Sequence, residues 1–385
     1  MAALGRWCVA LALALPILWV ITEAAARFLL ARRNYYVWPP NHRIDSELRR
    51  EVFPDLSSRT SFSVNRDGER GSDPPSSADG LYRVLVTGGS AAECYFLDQQ
   101  ECWPMRLQRC LETPAAYTAL GVNRVHVGAV AKSGIDSTKL YLLLQRLLPQ
   151  YRKLDAVVIM IGIADIVAWM RCSAPETPEF IPPDPEEIFA AYPEKRYASH
   201  PLNATALAEC SRIVSLRLWR RGDVRSDVGA SVARLRKMRQ LATNIKTDVP
   251  PHASVLNNYA TMLARSIRLC HDFGIRVLVV GQPWLDTEVL AKEEKLRLWC
   301  GSEGDAYRHN VSTYYSSEVL AQLTTELNQL AARVAKQNGA AMIDVQNCLQ
   351  PPAACFYDDI HFTPLGAAIV ADAVSNALLR DATSS

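Results

Sequence analysis

The chain has 385 residues, 49% hydrophobic and 21% charged, which is the balance of a packed protein larger than one typical domain. That composition excludes wholesale disorder, collagen-like repetition and a small disulfide-stapled scaffold. Forty-two Lys and Arg against 40 Asp and Glu leave a formal net charge of +2, too even for a dedicated nucleic-acid binder, so no nucleic-acid partner is expected.

The first element is the uncharged run Trp7 to Ile21, preceded by Arg6. It falls short of the roughly 20 apolar residues of a spanning helix and suits the core of a secretory signal peptide, with Ala24 and Ala26 offering a small-x-small cleavage pattern. Apolar character resumes after Glu23 as far as Ala31, so residues 1–33 are expected to form an uncleaved membrane anchor. A cleaved signal and a buried amphipathic helix are the alternatives. Arg27, Arg32 and Arg33 outnumber Arg6 and the α-amine, which by the positive-inside rule leans toward a cytoplasmic body.

The cysteines lean the other way. Besides Cys8 there are Cys94, Cys102, Cys110, Cys172, Cys210, Cys270, Cys300, Cys348 and Cys355, a set that fits an oxidising compartment or, alternatively, buried thiols acting as small apolar residues. None forms a C-x-x-C pair or the Cys/His spacing of a zinc site, so no metal is expected. If the body lies outside the cytoplasm, Cys348 and Cys355 are placed to close a short loop. Sequons at Asn203 and Asn310 match chance and decide nothing.

Residues 34–80 are polar and rich in Pro, Ser and Gly, the composition of an extended arm and joint. From 81 to 385 the pattern becomes regular. Near-continuous β-branched runs at 82–87, 122–130, 155–162, 275–281 and 340–345 alternate with helical spacing at about 101–111, 136–149, 254–272, 316–337 and 364–380. That alternation predicts an α/β domain with a parallel sheet covered on both faces and ligands bound beyond the strands' carboxyl ends. An insert at about 168–250 interrupts it, first Pro-rich and then basic, with Arg217, Arg220, Arg221, Arg225, Arg234, Arg236, Lys237 and Arg239. The basic stretch reads as a solvated helical face, or else as a cap that attracts an anionic polymer or lipid head group.

Two motifs carry chemistry. Ser90 leaves the first strand through Gly88 and Gly89, where glycine permits backbone conformations closed to other residues. Ala92 rules out the G-x-S-x-G elbow. After the last strand, Asp358 stands three positions before His361 at the mouth of the last helix, where Pro364 suits the first turn. A carboxylate so placed can fix the imidazole tautomer and leave the other nitrogen to take a proton from a serine.

In these motifs the sequence resembles the SGNH hydrolases, also called GDSL lipases and esterases, and in particular their membrane-anchored bacterial members. Val84 to Ser90 is similar to the family's first block, Ser133 to Ser137 to its second and Asp358 to Gly366 to its fifth, while Asn65 to Gly71 is similar to the N-terminal arm of the anchored members. The third block departs: Gly162-Ile163-Ala164-Asp165 carries Ala164 where the family has an asparagine whose amide donates to the oxyanion.

The resemblance implies a three-layer α/β/α sandwich of flavodoxin-like topology with five parallel strands. It implies Ser90 as nucleophile, His361 as base and then acid, Asp358 orienting His361, and an oxyanion hole from the Ser90 and Gly134 backbone N–H groups. The lost third donor is typically worth about 10² to 10³ in rate, with Lys132 or the insert as a replacement. The implied activity is a serine esterase on O-acyl groups of a cell-envelope polysaccharide or lipid. An O-acyltransferase to a sugar hydroxyl and a non-catalytic glycan- or lipid-binding protein are the alternatives. No cofactor is implied, and a single-pass membrane placement with the domain on the periplasmic face is expected.

Overall fold

The computed structural model describes residues 2–31, 34–192, 205–208, 210, 211, 214, 224–288 and 290–382. Its centre is one sheet of five parallel strands, β1 (Leu81–Gly88), β2 (Arg124–Ala131), β3 (Ala156–Met160), β4 (Arg276–Val280) and β5 (Ala341–Ile343), in the order β5-β4-β3-β1-β2. This is the flavodoxin-like order, in which the chain reverses its direction of travel between β1 and β3.

Alternation along β1 divides the core in two, because successive side chains of a strand point to opposite faces. Val84 and Val86 pack toward helices α1 (Trp103–Leu111) and α6 (Pro364–Ala382), through Trp103, Leu107, Val370 and Val374. Leu85 packs with Val157 and Ile159 toward α2 (Ser137–Leu147), α3 (Ile163–Arg171), α4 (Ala253–Asp272) and α5 (Ser317–Gln337). Helices on both faces make the predicted three-layer sandwich. Asp136 caps α2 by accepting the Lys139 N–H, and Ser316 caps α5 by accepting the Val319 N–H. Helix α3, absent from the sequence reading, starts directly at the end of β3.

Residues 34–80 lie against this sandwich. Strands Arg43–Leu48 and Arg59–Ser63 pair antiparallel, and Val224–Val228 from the insert adds a parallel third strand. Ile44, Phe62 and Val64 form a small core, and the Arg70 backbone pairs with Ala129 on the outer edge of β2. The remainder of the insert includes helix Ala230–Gln240 and strand Asn244–Lys246, which pairs with Thr313–Tyr315.

The basic stretch is less solvated than expected. Arg236 donates to the carbonyls of Tyr357, Val52 and Arg297, and Arg239 to those of Cys300 and Tyr315, so both guanidinium groups are spent on neighbouring loops. Arg217, Arg220 and Arg221 lie outside the described residues.

The N-terminal helix, Ala2–Ala31, contains Pro16. Among the described residues no helix is long and apolar enough to cross a membrane. The expected anchor, the membrane partner through it and the single-pass periplasmic placement are corrected accordingly. The physical reason lies in the helix's second half. Glu23 is buried, accepts N–H bonds from Ala206 at 2.9 Å and Leu207 at 3.1 Å, and pairs with Arg27 at 2.9 Å. That stretch is tied by polar contacts to the protein's own chain. The side chains of residues 1–13, and with them much of the Trp7 to Ile21 run, lie outside the described residues.

Candidate active site

Strand β1 ends at Gly88, whose φ is +149° and where an added Cβ would stand 1.9 Å from the Met160 carbonyl oxygen of β3. Only glycine fits so close to a neighbouring strand. The Gly89 N–H then donates to that same carbonyl at 3.2 Å, and Ser90 opens the short turn of helix Ser90–Glu93. The nucleophile candidate therefore emerges at the carboxyl edge of the sheet, beside the point where the strand order reverses.

Here the structure brings the two motifs together. His361 Nε2 lies 2.7 Å from Ser90 Oγ, and His361 Nδ1 lies 2.8 and 2.9 Å from the two Asp358 oxygens. Asp358, almost fully buried, also accepts from the Ile360 N–H at 3.0 Å, the His361 N–H at 2.9 Å and the Trp299 indole at 3.0 Å. An ionised carboxylate can only accept, so it holds the imidazole proton on Nδ1 and leaves Nε2 as the acceptor of the Ser90 hydroxyl. Burial pushes the Asp358 carboxyl up, but His361 and these donors outweigh it and hold it below the ordinary carboxylate range. Burial pulls the His361 imidazole down, and the Asp358 charge with its hydrogen bond more than offsets this, so its pKa stands above the ordinary value.

Two aromatic rings also stack on the imidazole. Trp299 stacks on it at 6.2 Å between centroids with 11° between planes, and Tyr357 at 5.6 Å with 10°. The turn behind Ser90 is fixed by Arg70, fully buried, whose guanidinium donates to the carbonyls of Glu93 at 2.7 Å, Cys94 at 2.8 Å and Leu97 at 2.8 Å. Cys94 takes a left-handed conformation, φ +51°, as the turn closes. Glu93 reaches across to the next loop and accepts the Ser133 N–H and hydroxyl, which orients the loop carrying Gly134. Burial raises the Glu93 pKa despite Ser133, Arg70 and Lys132.

Ser90, Gly134, Ala164 and His361 all line one cavity of about 590 Å³, with Trp38 from the arm and Val232 from the insert also in its wall. Among the described residues the N–H groups of Ser90 and Gly134 have no protein acceptor. Ala164, in the first turn of α3, offers only a methyl group. Its neighbour Asp165 is turned inward and accepts from the Ser137 N–H and hydroxyl, tying α3 to the start of α2. Burial and the nearby Asp136 push the Asp165 carboxyl up to about 7.

Lys132 also lines the cavity, but its ammonium donates to the carbonyls of Glu187 at 2.8 Å and Ile188 at 3.1 Å. Its substitution for the missing amide is thereby disfavoured. Cys348 and Cys355 are both free thiols, the first exposed and the second buried, so the expected short-loop bridge is not formed. Among the described residues no cluster of three or more His, Cys, Asp or Glu could hold a metal ion.

The structure brings Ser90, Gly134, Ala164, Asp358 and His361 together, and adds Trp299, Tyr357, Arg70 and Glu93, which were not among the sequence's candidates. Only Arg70 left a signal, since it stands in the Asn65 to Gly71 stretch already singled out.

No family model matches the chain. No curated protein matches it either. Among solved structures it is similar to Axe2, an acetylxylan esterase from Geobacillus stearothermophilus, at 14% identity and a TM-score of 0.38, over 78% of this chain and 94% of that one. It is similar to the acetyl xylan esterase AlAXEase at 12% identity and a TM-score of 0.37, over 77% and 99% of the two chains. LAE5, an alpha/beta hydrolase enzyme from the metagenome of Lake Arreo, Spain, has 14% identity and a TM-score of 0.38, over 79% and 97%. The activity in each name is that protein's own.

Proposed function

We propose that the protein is a serine esterase of the SGNH kind, with residues 81–385 as its catalytic domain, acting on O-acyl groups of a carbohydrate or lipid. The observation that carries this reading is the unbroken relay from Ser90 Oγ through the His361 imidazole to the Asp358 carboxylate. Ser90 Oγ attacks the ester carbonyl carbon while its proton passes to His361 Nε2. The C=O electron pair moves to oxygen, where the Ser90 and Gly134 N–H groups and the positive end of the α3 dipole favour the negative charge. Collapse breaks the bond to the alkoxy group, which leaves with the proton from His361. Water, deprotonated by the same imidazole, then attacks the acyl-serine and frees the carboxylic acid and Ser90.

A sugar hydroxyl taking the place of water makes the same site an O-acyltransferase. Ala164 favours a second reading, a cleft kept for binding a glycan or lipid without turnover, because it removes a donor aimed at the oxyanion.

A fluorophosphonate probe separates these, since it labels only an activated serine. We expect stoichiometric labelling of Ser90 in the intact chain. Ser90→Ala and His361→Ala should each remove nearly all turnover of a small acyl ester, with the double variant scarcely worse than either. Absence of labelling, or wild-type turnover by Ser90→Ala, ends the esterase reading.

A further inference from the structure

Helix α3 turns one face toward the cavity, and Ala164, Val167, Ala168 and Arg171 all line it. The first three are small or apolar. The fourth brings a guanidinium into a wall built mainly of aromatic and aliphatic side chains, lying 4.8 Å from the centroid of the Tyr307 ring. Its Nε is buried and has no hydrogen-bond partner. Among the described residues it forms no ion pair, and its side-chain hydrogen bond goes to Tyr307.

The other arginines around the site, Arg70 buried and Arg236 and Arg239 half-buried, behave differently. Arg70, Arg236 and Arg239 spend their donors on backbone carbonyls, so the fold has a ready way of satisfying a guanidinium here and does not use it for Arg171. An unpaired buried donor on a permanent cation costs free energy unless a ligand meets it. The planar fork of an arginine is matched by a carboxylate, which it can bind through two parallel N–H bonds.

We infer that Arg171 forms an anion subsite in this cavity and that the substrate is an acylated acidic saccharide whose carboxylate it binds. The inference rests on the esterase reading in taking this cavity as the place where substrate lies. Arg171 is two helical turns from Ala164, or roughly 10 Å along the axis, and its side chain leans back toward the helix start. The carboxylate is therefore set apart from the reacting carbonyl, on a sugar unit beside the acylated one. Trp38, Trp299 and Tyr307 supply flat apolar faces with polar edges, suited to sugar rings between the two ends. Of the nearby carboxyls, Glu93 lines the cavity but is turned to the Ser133 N–H and hydroxyl, and Asp358 lies behind His361.

Calorimetry on the full chain bearing Ser90→Ala tests this, with a galacturonate trimer and a neutral galactose trimer as probes. The acidic trimer should bind at least about tenfold more tightly at low salt, the yield of a charge-assisted hydrogen-bond pair, and less so as salt is raised. Arg171→Gln in the same background should abolish the difference, and Arg171→Lys should restore part of it. Equal binding of the two trimers, no binding of the acidic one, or a preference that survives Arg171→Gln overturns the subsite. Fluorophosphonate labelling of Ser90 is scored separately. Labelling without charge preference removes the subsite and keeps the esterase, whereas charge preference without labelling does the reverse.

Discussion

At the scale of single residues, the site turns on how His361 is charged. Burial alone would keep the imidazole neutral, and the carboxylate of Asp358 reverses that, raising its pKa above the ordinary value. The base must be neutral to take the serine proton, so kcat/KM should rise with pH through this raised pKa. Asp358→Asn removes the main cause holding it up and leaves burial. The acid limb of the kcat/KM profile should then move to lower pH, while the plateau falls by roughly 10³ to 10⁴ as tautomer control is lost. An unmoved limb in the folded variant counts against Asp358 as the charge partner. The same scale holds the departure at position 164. Ala164→Asn adds an amide donor at the first turn of α3, beside the cavity shared with Ser90 and Gly134, and steady-state kinetics should show a gain chiefly in kcat, up to about 10². A lower kcat in a folded variant means that the cavity wall is closed to the longer side chain.

At the scale of elements, the Asn65 to Gly71 stretch joins the arm to the Ser90 turn. Glu69 is buried, 2.9 Å from His126 Nε2 on β2 and 3.0 Å from Arg83 on β1, while the adjacent Arg70 holds the Ser90 turn. Burial pushes the Glu69 carboxyl up, but His126 and Arg83 dominate and bring it down from 4.5 to about 2. A carboxylate depressed on folding stabilises the protein above its unfolded pKa, and that stability is lost as pH falls from about 4.5 through about 2. Glu69→Gln should therefore cost on the order of 3 kcal/mol at neutral pH, and its Tm should vary less than wild type across that acid window. Thermal melts at several pH values check both. Most such elements were legible in the sequence because their signal is local: β1, β3 and β4 are mostly buried β-branched runs, and α4 and α5 are long enough for their spacing to show. Helix α3 was hidden because Ile163, Ile166 and Val167 extend the β-branched run of β3 within nine residues. Ser90, Asp358 and His361 were legible as motifs, whereas no spacing rule links Arg70 to Leu97 or Trp299 to His361, since those contacts exist only once the layers have packed.

At the scale of the whole molecule, stability should be graded outward from the sheet. Val84 to Val86, Val157 to Ile159 and Leu278 to Val280 are almost wholly buried, so their amides should exchange only through global unfolding. The turn Glu294–Arg297, with Leu296 exposed, should exchange at least about a hundredfold faster. Native-state hydrogen exchange resolves this, and uniform protection across both sets would mean that this turn unfolds only with the core. The cavity itself belongs to no single stretch. Trp38, Ser90, Val232, Trp299 and His361 come from five separate parts of the chain, so its shape is a property of the closed fold.

The hydrogen bond between Ser90 and His361 joins residues 271 positions apart. On a ribosome, which adds residues from the N-terminus at a limited pace, the serine turn and its Arg70 clamp are available long before the imidazole has been made. A nascent chain therefore displays Ser90 only as an ordinary alcohol, inert toward the esters around it. On the esterase reading, nucleophilic power would arrive only with the segment that also supplies α6, and translation itself would keep the half-built protein from attacking its surroundings.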